Sequence, residues 1–150
     1  MKKIYCLFVC TFLSFLVVSA QSKHFNLDKS ALAIEGYDPV AYFIAGKAIE
    51  GKPAIGYSVD GINYRFANVQ NRELFKASPG KYQPQYGGWC AYAMGAKGEM
   101  VAIDPETFKV LDGKLYLFYN RFFNNTLKDW NKEENALKMK ADKNWQKINQ

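Results

Sequence analysis

Two Asp-Gly dipeptides, Asp60-Gly61 and Asp112-Gly113, constrain this chain most, because each separates two runs of residues suited to β-strands. Asp-Gly is a preferred pair in two-residue hairpin turns, where both central residues need a positive φ angle. The flanking runs cover residues 55–59 and 62–66 in the first case, and residues 108–111 and 114–119 in the second. The sequence therefore predicts two hairpins that build one small antiparallel sheet.

Helix signals lie around these hairpins. Asp38, followed by a proline, predicts the start of a short helix as its N-cap. Asn68 is placed to cap a second helix that runs to residue 77. We expect that helix to turn Leu74 and Phe75 toward the core.

Two further helices are expected downstream. The apolar residues 89–94 are interpreted as a buried helix that stops at Gly95. At the end of the chain, apolar residues spaced by three or four form one stripe: Leu137, Ala141, Trp145 and Ile148. Hairpins interleaved with packed helices, and followed by a C-terminal helix, predict an α+β fold.

The first twenty residues have the three regions of a cleavable export signal. Lys2 and Lys3 supply a positive start, residues 4–18 are apolar and uncharged, and small residues precede a cut expected after Ala20. The apolar run is shorter than the roughly 20 residues that a membrane-spanning helix needs. We expect an exported, periplasmic or extracellular protein without stable membrane insertion after cleavage. Residues 21–150 would then form a single domain with a C-terminal helical extension.

The basic residues are mostly lysines, which argues against nucleic acid as a partner. Arg65, Arg72 and Arg121 are the only arginines in a chain with a formal net charge of +6. Proteins that read nucleic acid favour arginine for bidentate contacts to bases. We interpret the lysines as a solvated surface and predict no nucleic-acid partner.

Cys90 and His24 are the only cysteine and the only histidine that remain after the expected cut. An internal disulfide is then impossible, and a histidine-based metal site or catalytic triad is disfavoured. Cys90 is either a buried, inert residue or an exposed, reactive thiol at the start of a helix. Because cysteine is among the most buried residue types, we favour burial. Binding is accordingly expected rather than enzymatic activity.

Six ordered segments of the chain resemble a known family. They read GYDPVAYF at residues 36–43, YRFA at 64–67, NRELF at 71–75, PGKY at 79–82, YGGWCAYA at 86–93 and DGKLYL at 112–117. Together they resemble the YHS-domain family, and the last segment is similar to a signature of its small exported bacterial members. The resemblance implies a metal-binding module and brings no settled enzymatic activity with it.

The chain departs from the metal-binding branch of that family at Ala67 and Asn71. The resemblance implies cysteine thiolates at both positions for a tetrahedral zinc or copper site, and neither residue supplies one. No structural zinc is therefore expected, and the hydrophobic core should hold the fold. Copper stays open as a cofactor, because Cys90 and Met94 are soft side chains suited to Cu(I). The alternative is that this pair only packs in the core.

The candidate ligand-binding residues are four aromatic or acidic side chains and the cysteine: Tyr37, Asp38, Tyr42, Cys90 and Tyr92. Asp38 has an alternative role as a helix cap alone. The sequence thus predicts an exported, non-enzymatic binding or accessory domain of the cell envelope. It would take copper, a small ligand or an envelope protein partner. Two alternatives remain: a thiol-dependent redox protein that uses Cys90, and a purely structural interaction module.

Overall fold

The computed structural model describes residues 24–150, so the expected export signal at residues 1–20 lies outside the described residues. Within that range, three antiparallel hairpins alternate with helices. The strands are β1 (Lys52–Val59), β2 (Ile62–Phe66), β3 (Asp104–Leu111), β4 (Lys114–Phe118), β5 (Asn120–Arg121) and β6 (Asn124–Asn125). The helices are α1 (Ala41–Ile44), α2 (Val69–Ala77), α3 (Pro79–Tyr82), α4 (Ala91–Ala96), α5 (Thr126–Trp130) and α6 (Glu134–Ile148).

The first two hairpins form where the Asp-Gly dipeptides predicted them. Asp60 and Asp112 have φ angles of 52° and 51°, and the glycines that follow them have φ angles of 77° and 69°. These left-handed angles suit two-residue turns between antiparallel strands. The two hairpins are built alike, because each pairs an eight-residue strand with a five-residue strand and has a register irregularity near its open end.

The α+β fold class is confirmed, and the hairpins remain separate two-stranded sheets. Strand β1 pairs with β2, and β3 pairs with β4, without a ladder between the two pairs. They meet instead through side chains, because Tyr64 and Phe66 of one hairpin share a core with Leu115 and Leu117 of the other. Side-chain packing therefore replaces the single shared sheet that the sequence predicted.

Helix α2 begins as the sequence predicted. The Asn68 side chain accepts a hydrogen bond from the Asn71 backbone N–H at 2.8 Å, which satisfies one free donor of the first turn. Phe75 is fully buried and lies with its ring centroid 4.6 Å from that of Tyr64. The inward orientation predicted for Leu74 is wrong, since this side chain is 37% exposed. Neighbouring residues of a helix point in directions about 100° apart, and here Phe75 faces the core while Leu74 lies beyond its edge.

A second core surrounds Trp130 of α5. This indole is fully buried and lies 5.7 Å from the ring of Tyr116 and 5.5 Å from the ring of Phe118. Its nitrogen donates a hydrogen bond to Glu134 at 3.0 Å, so the one polar atom of the ring is satisfied. This core joins the second hairpin to the C-terminal helices.

The C-terminal helix α6 packs closely on α4. A Cβ at Gly95 would lie 2.6 Å from the carbonyl oxygen of Leu137, so the two backbones meet where only glycine fits. The predicted apolar stripe is confirmed at Leu137 and Ala141, which are buried. Trp145 is partly buried and approaches Tyr86 edge-on at 6.5 Å. Among residues 24–150, no helix combines the length and apolar character needed to cross a bilayer.

Candidate functional site

Asp38 is fully buried, and its carboxylate holds two parts of the chain together. Oδ1 accepts hydrogen bonds from the backbone N–H groups of Val40 at 2.8 Å and Ala41 at 3.3 Å, at the start of α1. Oδ2 accepts from the Ala67 backbone N–H at 2.8 Å and from Asn71 Nδ2 at 2.7 Å. The carboxylate therefore caps α1 and ties it to the start of α2.

Ala67 and Asn71 are the two positions at which the family resemblance implies thiolates in the metal-binding branch of that family. Here both donate to the same carboxylate oxygen of Asp38. A buried charge is tolerated when hydrogen-bond donors surround it, and these four donors do so. The geometry gives these residues a structural role, because they hold the Asp38 carboxylate between α1 and α2.

Tyr37 and Tyr42 lie next to Asp38 in the chain and reach toward the start of β3. The Tyr42 hydroxyl is buried and donates to the Pro105 carbonyl at 3.0 Å. Burial raises the pKa of Tyr42 above its usual range. The Tyr37 hydroxyl donates to Glu106 at 3.4 Å, and burial together with that carboxylate raises the pKa of Tyr37. Both hydroxyls are therefore engaged within the protein.

Cys90 immediately precedes α4 and has no exposed surface, so its predicted burial is confirmed. Its backbone N–H donates to the Val101 carbonyl at 2.9 Å, and its carbonyl accepts from the Met94 N–H at 3.0 Å. These bonds hold the cysteine between the first turn of α4 and the segment before β3. These two backbone hydrogen bonds fix the main chain of Cys90 on both sides.

The thiol takes part in a closed set of hydrogen bonds with Thr126 and Tyr119. The Thr126 hydroxyl donates to the Tyr119 carbonyl at 2.9 Å, and a hydroxyl has only one hydrogen to give. The 3.4 Å contact between Cys90 Sγ and Thr126 Oγ1 is therefore best made by the thiol hydrogen. The Tyr119 backbone N–H in turn donates to Sγ at 3.4 Å. The sulfur is therefore engaged by hydrogen bonds with both Thr126 and Tyr119.

A pocket of about 390 Å³ lies directly beside this set of hydrogen bonds. It is lined by Cys90, Tyr92, Ala93, Ala96, Lys97, Glu99, Val101, Tyr119, Asn124 and Thr126. Small-molecule sites typically enclose about 300–1,000 Å³ and combine an apolar wall with a few polar groups. Here aromatic and aliphatic side chains provide the wall, Asn124 and Thr126 provide polar atoms, and Lys97 and Glu99 are exposed charges.

The structure divides the predicted ligand-binding residues between two places. Cys90 and Tyr92 line the pocket, whereas Tyr37, Asp38 and Tyr42 do not. The latter three belong to the hydrogen-bonded region around the start of α1. The pocket, which we call the Cys90 pocket, is therefore the part of the predicted site that has room for a ligand.

The two residues of the predicted soft-metal pair, Cys90 and Met94, pack in different cores. Met94 is fully buried in the core around Trp130, whereas Cys90 belongs to the core around Phe75. Over residues 24–150, no group of three or more histidine, cysteine, aspartate or glutamate side chains is arranged to hold a metal ion. The side chains of Cys90 and Met94 thus pack in different cores, although the two residues are only four positions apart in the sequence.

Val101, Tyr119 and Thr126 are pocket residues that lie outside the predicted set of ligand-binding residues. They lie 11 to 36 positions from Cys90. Val101 lies on the segment before β3, Tyr119 directly follows β4, and Thr126 begins α5. One signal was present, because Asn124, Asn125 and Thr126 match a glycosylation motif. In the structure Asn124 and Thr126 of that motif line the pocket.

A second pocket, of about 590 Å³, lies on the first hairpin. It is lined by Ser30, Leu32, Pro53, Gly56, Tyr57, Ser58, Asn63, Tyr64 and Arg65. Several of its polar atoms are already paired, since Ser58 donates to Asn63 and Asn63 donates to the Ser30 carbonyl.

No protein-family model, curated protein or solved structure matches the chain.

Proposed function

We propose that this protein is a non-enzymatic binding domain whose small-molecule ligand occupies the Cys90 pocket. The observation that carries the proposal is the pocket itself, because it provides unfilled space beside Cys90 and Tyr92, two of the predicted site residues. Its volume of about 390 Å³ suits a compact organic molecule. Tyr92 and Tyr119 offer ring faces, and Asn124 offers an amide for orienting polar groups.

The state of Cys90 supports binding rather than thiol chemistry. A nucleophilic or redox-active cysteine is a partly exposed thiolate, whereas structural buried cysteines are inert. Cys90 has no exposed surface, and its hydrogen is directed at Thr126. The thiol-dependent redox alternative would require this part of the pocket to open first.

Export and family membership belong to the same proposal. Residues 1–20 carry the pattern of a cleavable signal, which favours a role in the cell envelope. The segments at residues 36–43 and 86–93 support a stand-alone member of the YHS-domain family. In this proposal, hydrogen bonds to Asp38 take the structural place that metal–thiolate bonds would hold in metal-binding relatives.

A substitution that fills the pocket tests the proposal. Ala96 is the exposed last residue of α4 and lines the pocket, so Ala96→Phe should occupy part of the space with little effect on the fold. Ala77 is the exposed last residue of α2 and does not line the pocket, so Ala77→Phe is a matched control. Both variants add the same side chain at the same kind of position.

The measurement is native mass spectrometry and metal analysis of untagged protein purified from the cells that make it. We expect a bound small molecule on the wild type and on Ala77→Phe, and its loss from Ala96→Phe. An equal bound mass on all three proteins would place the ligand elsewhere. Stoichiometric copper in the wild type that disappears in Cys90→Ser and Met94→Leu would favour the metal-binding alternative.

A further inference from the structure

The β5–β6 hairpin presents two phenylalanines to solvent at its tip. Phe122 and Phe123 form the two-residue turn between Arg121 and Asn124, which pair across the hairpin. Their side chains are 89% and 109% exposed, the two highest values among the exposed large apolar residues of the described part of the chain. Single exposed apolar residues are common on proteins, but two adjacent rings without packing partners are not.

The backbone at this tip is unfavourable for the residues it carries. Phe122 has a φ angle of 52° and Phe123 has a φ angle of 63°. Bulky residues rarely adopt these left-handed angles, and a two-residue turn of this kind prefers Asn-Gly or Asp-Gly. The other two hairpins of this protein follow that preference. The Phe-Phe turn thus carries backbone strain and no burial offsets it, a combination that points to function.

The charged residues next to the tip in the sequence are basic. Residues 113–128 contain no aspartate or glutamate, Arg121 directly precedes the two rings, and Lys128 follows Phe123 by five positions. Glu35 is the acidic partner of Arg121, at 3.8 Å, and both side chains of this pair are about half exposed. Such an exposed pair is weak, so Arg121 remains accessible to another anion. The whole chain is also basic, with a net charge of +6.

We propose that the Phe122–Phe123 tip docks this protein on the surface of an anionic lipid bilayer. The two rings would enter the boundary between headgroups and acyl chains, where aromatic side chains are favoured. Arg121 and Lys128 would face anionic headgroups, which attract basic residues. The contact is peripheral, and it does not depend on what the Cys90 pocket binds.

The size of the tip favours a bilayer over a protein partner. Two phenylalanine rings cover about 300–500 Å² when they are fully buried. A stable protein interface needs about 800 Å² on each partner, so a protein would have to contact much more than these rings. A fluid bilayer accepts two projecting rings without a complementary surface. The small apolar tip with basic flanks therefore fits lipid better than a second copy of the chain.

The test compares vesicle binding by the wild type and by a Phe122→Asn/Phe123→Gly variant, with identical N-termini verified by mass spectrometry. The vesicles contain equal parts of phosphatidylglycerol and phosphatidylcholine, or phosphatidylcholine alone. We expect the variant to bind the anionic vesicles at least about tenfold more weakly, because it loses two buried rings. Its melting temperature should not fall, because Asn-Gly suits the turn.

A control variant removes two exposed apolar side chains away from the tip. Ile44 on α1 is 64% exposed and Met139 on α6 is 74% exposed, and we substitute them as Ile44→Asn/Met139→Gln. This variant should bind vesicles like the wild type. A Phe123→Trp variant adds an independent readout, since its tip fluorescence should shift to the blue with anionic vesicles and be quenched by brominated lipids.

Several results would overturn the proposal. Equal vesicle binding by the wild type and the tip variant would show that the rings do not contact lipid. A tryptophan at position 123 that vesicles leave unchanged would show the same, even if the Asn-Gly variant did not fold. A wild-type dimer in sedimentation velocity that the tip variant abolishes would identify a second copy as the partner instead.

Discussion

Asp38 and Cys90 are both fully buried polar residues near the start of a helix, yet their surroundings differ. All four hydrogen bonds of the Asp38 carboxylate end on atoms of the protein, and Asp38 lines neither of the two pockets described here. Cys90 also forms hydrogen bonds within the protein, but a pocket of about 390 Å³ begins beside it. Burial alone therefore does not identify a binding residue, whereas unfilled space next to a fixed polar group does.

High pH should cause the largest effect, because tyrosines are buried in both cores and burial raises the pKa of Tyr42, Tyr64, Tyr86 and Tyr116. Burial raises the pKa of Tyr64 to about 12, and it raises the pKa of Tyr42 further. The unfolded chain releases these protons near its ordinary tyrosine pKa of about 10. The unfolded state then binds fewer protons, so stability is fully present below about pH 10 and falls as pH rises toward about 12.

The measurement is circular dichroism together with tyrosinate absorbance between neutral and strongly alkaline pH. We expect part of the tyrosinate signal to appear only as the secondary structure is lost. Complete tyrosine ionisation in a still folded protein would show that all of these buried hydroxyls, including that of Tyr42 near Asp38, are accessible to solvent. The Asp38 side would then not be a closed region.

Asp38→Ala should have the next largest effect. It leaves the Ala67 N–H and the Asn71 amide buried without their acceptor, and it removes the cap of α1. Each unsatisfied buried donor costs about 1–3 kcal/mol, so the free energy of unfolding should fall by about 3 kcal/mol or more. Urea denaturation measures this loss. Asp38→Asn, which keeps one acceptor oxygen, should lose less, and a loss below about 0.5 kcal/mol for Asp38→Ala would contradict the structural role.

Cys90→Ser should destabilise the protein by about 1–2 kcal/mol, less than the loss of Asp38. The hydroxyl is placed in an apolar site, but it keeps Thr126 as a hydrogen-bond partner. Thermal and urea unfolding of the variant measure the difference from wild type. A loss as large as that of Asp38→Ala would mean that the thiol is as integral to the fold as the carboxylate.

Removal of metal should have the smallest effect, because Ala67 and Asn71, where the family resemblance implies thiolates, donate hydrogen bonds to Asp38 instead. A domain that depends on structural zinc unfolds when its metal is stripped. Melting curves with and without a strong chelator should therefore coincide. A fall of several degrees with chelator would reveal a structural metal and would make the Asp38 network insufficient to hold this region.

The elements set by local chemistry could be predicted from the sequence. Asp60-Gly61 and Asp112-Gly113 predicted their hairpins because both residues suit left-handed angles. Asn68 predicted the start of α2 because its side chain is well placed to accept from the first turn. Phe122 and Phe123 adopt similar angles in the third turn, but no local preference of phenylalanine indicates it.

The elements set by tertiary packing could not be predicted in the same way. The Cys90 pocket joins residues as far apart as Cys90 and Thr126, so its existence depends on how α4 meets β4 and α5. The spacing of Cys90 and Met94 suggested one site, but Cys90 precedes the first turn of α4, Met94 lies within the helix, and the two side chains pack in different cores. Cys90 and Tyr92 were identified as site residues, whereas their pocket neighbours required the folded chain.

The most direct test of the central claim is a small-fragment screen followed by amide chemical shifts in the nuclear magnetic resonance spectrum of the protein. The account predicts that bound fragments shift the amides of Cys90, Ala93, Val101 and Thr126, while those of Asp38 and Asn71 stay unchanged. The same fragments should bind Ala77→Phe and fail to bind Ala96→Phe. Shifts centred on Asp38, or on the pocket of the first hairpin, would contradict the assignment of the Cys90 pocket as the binding site.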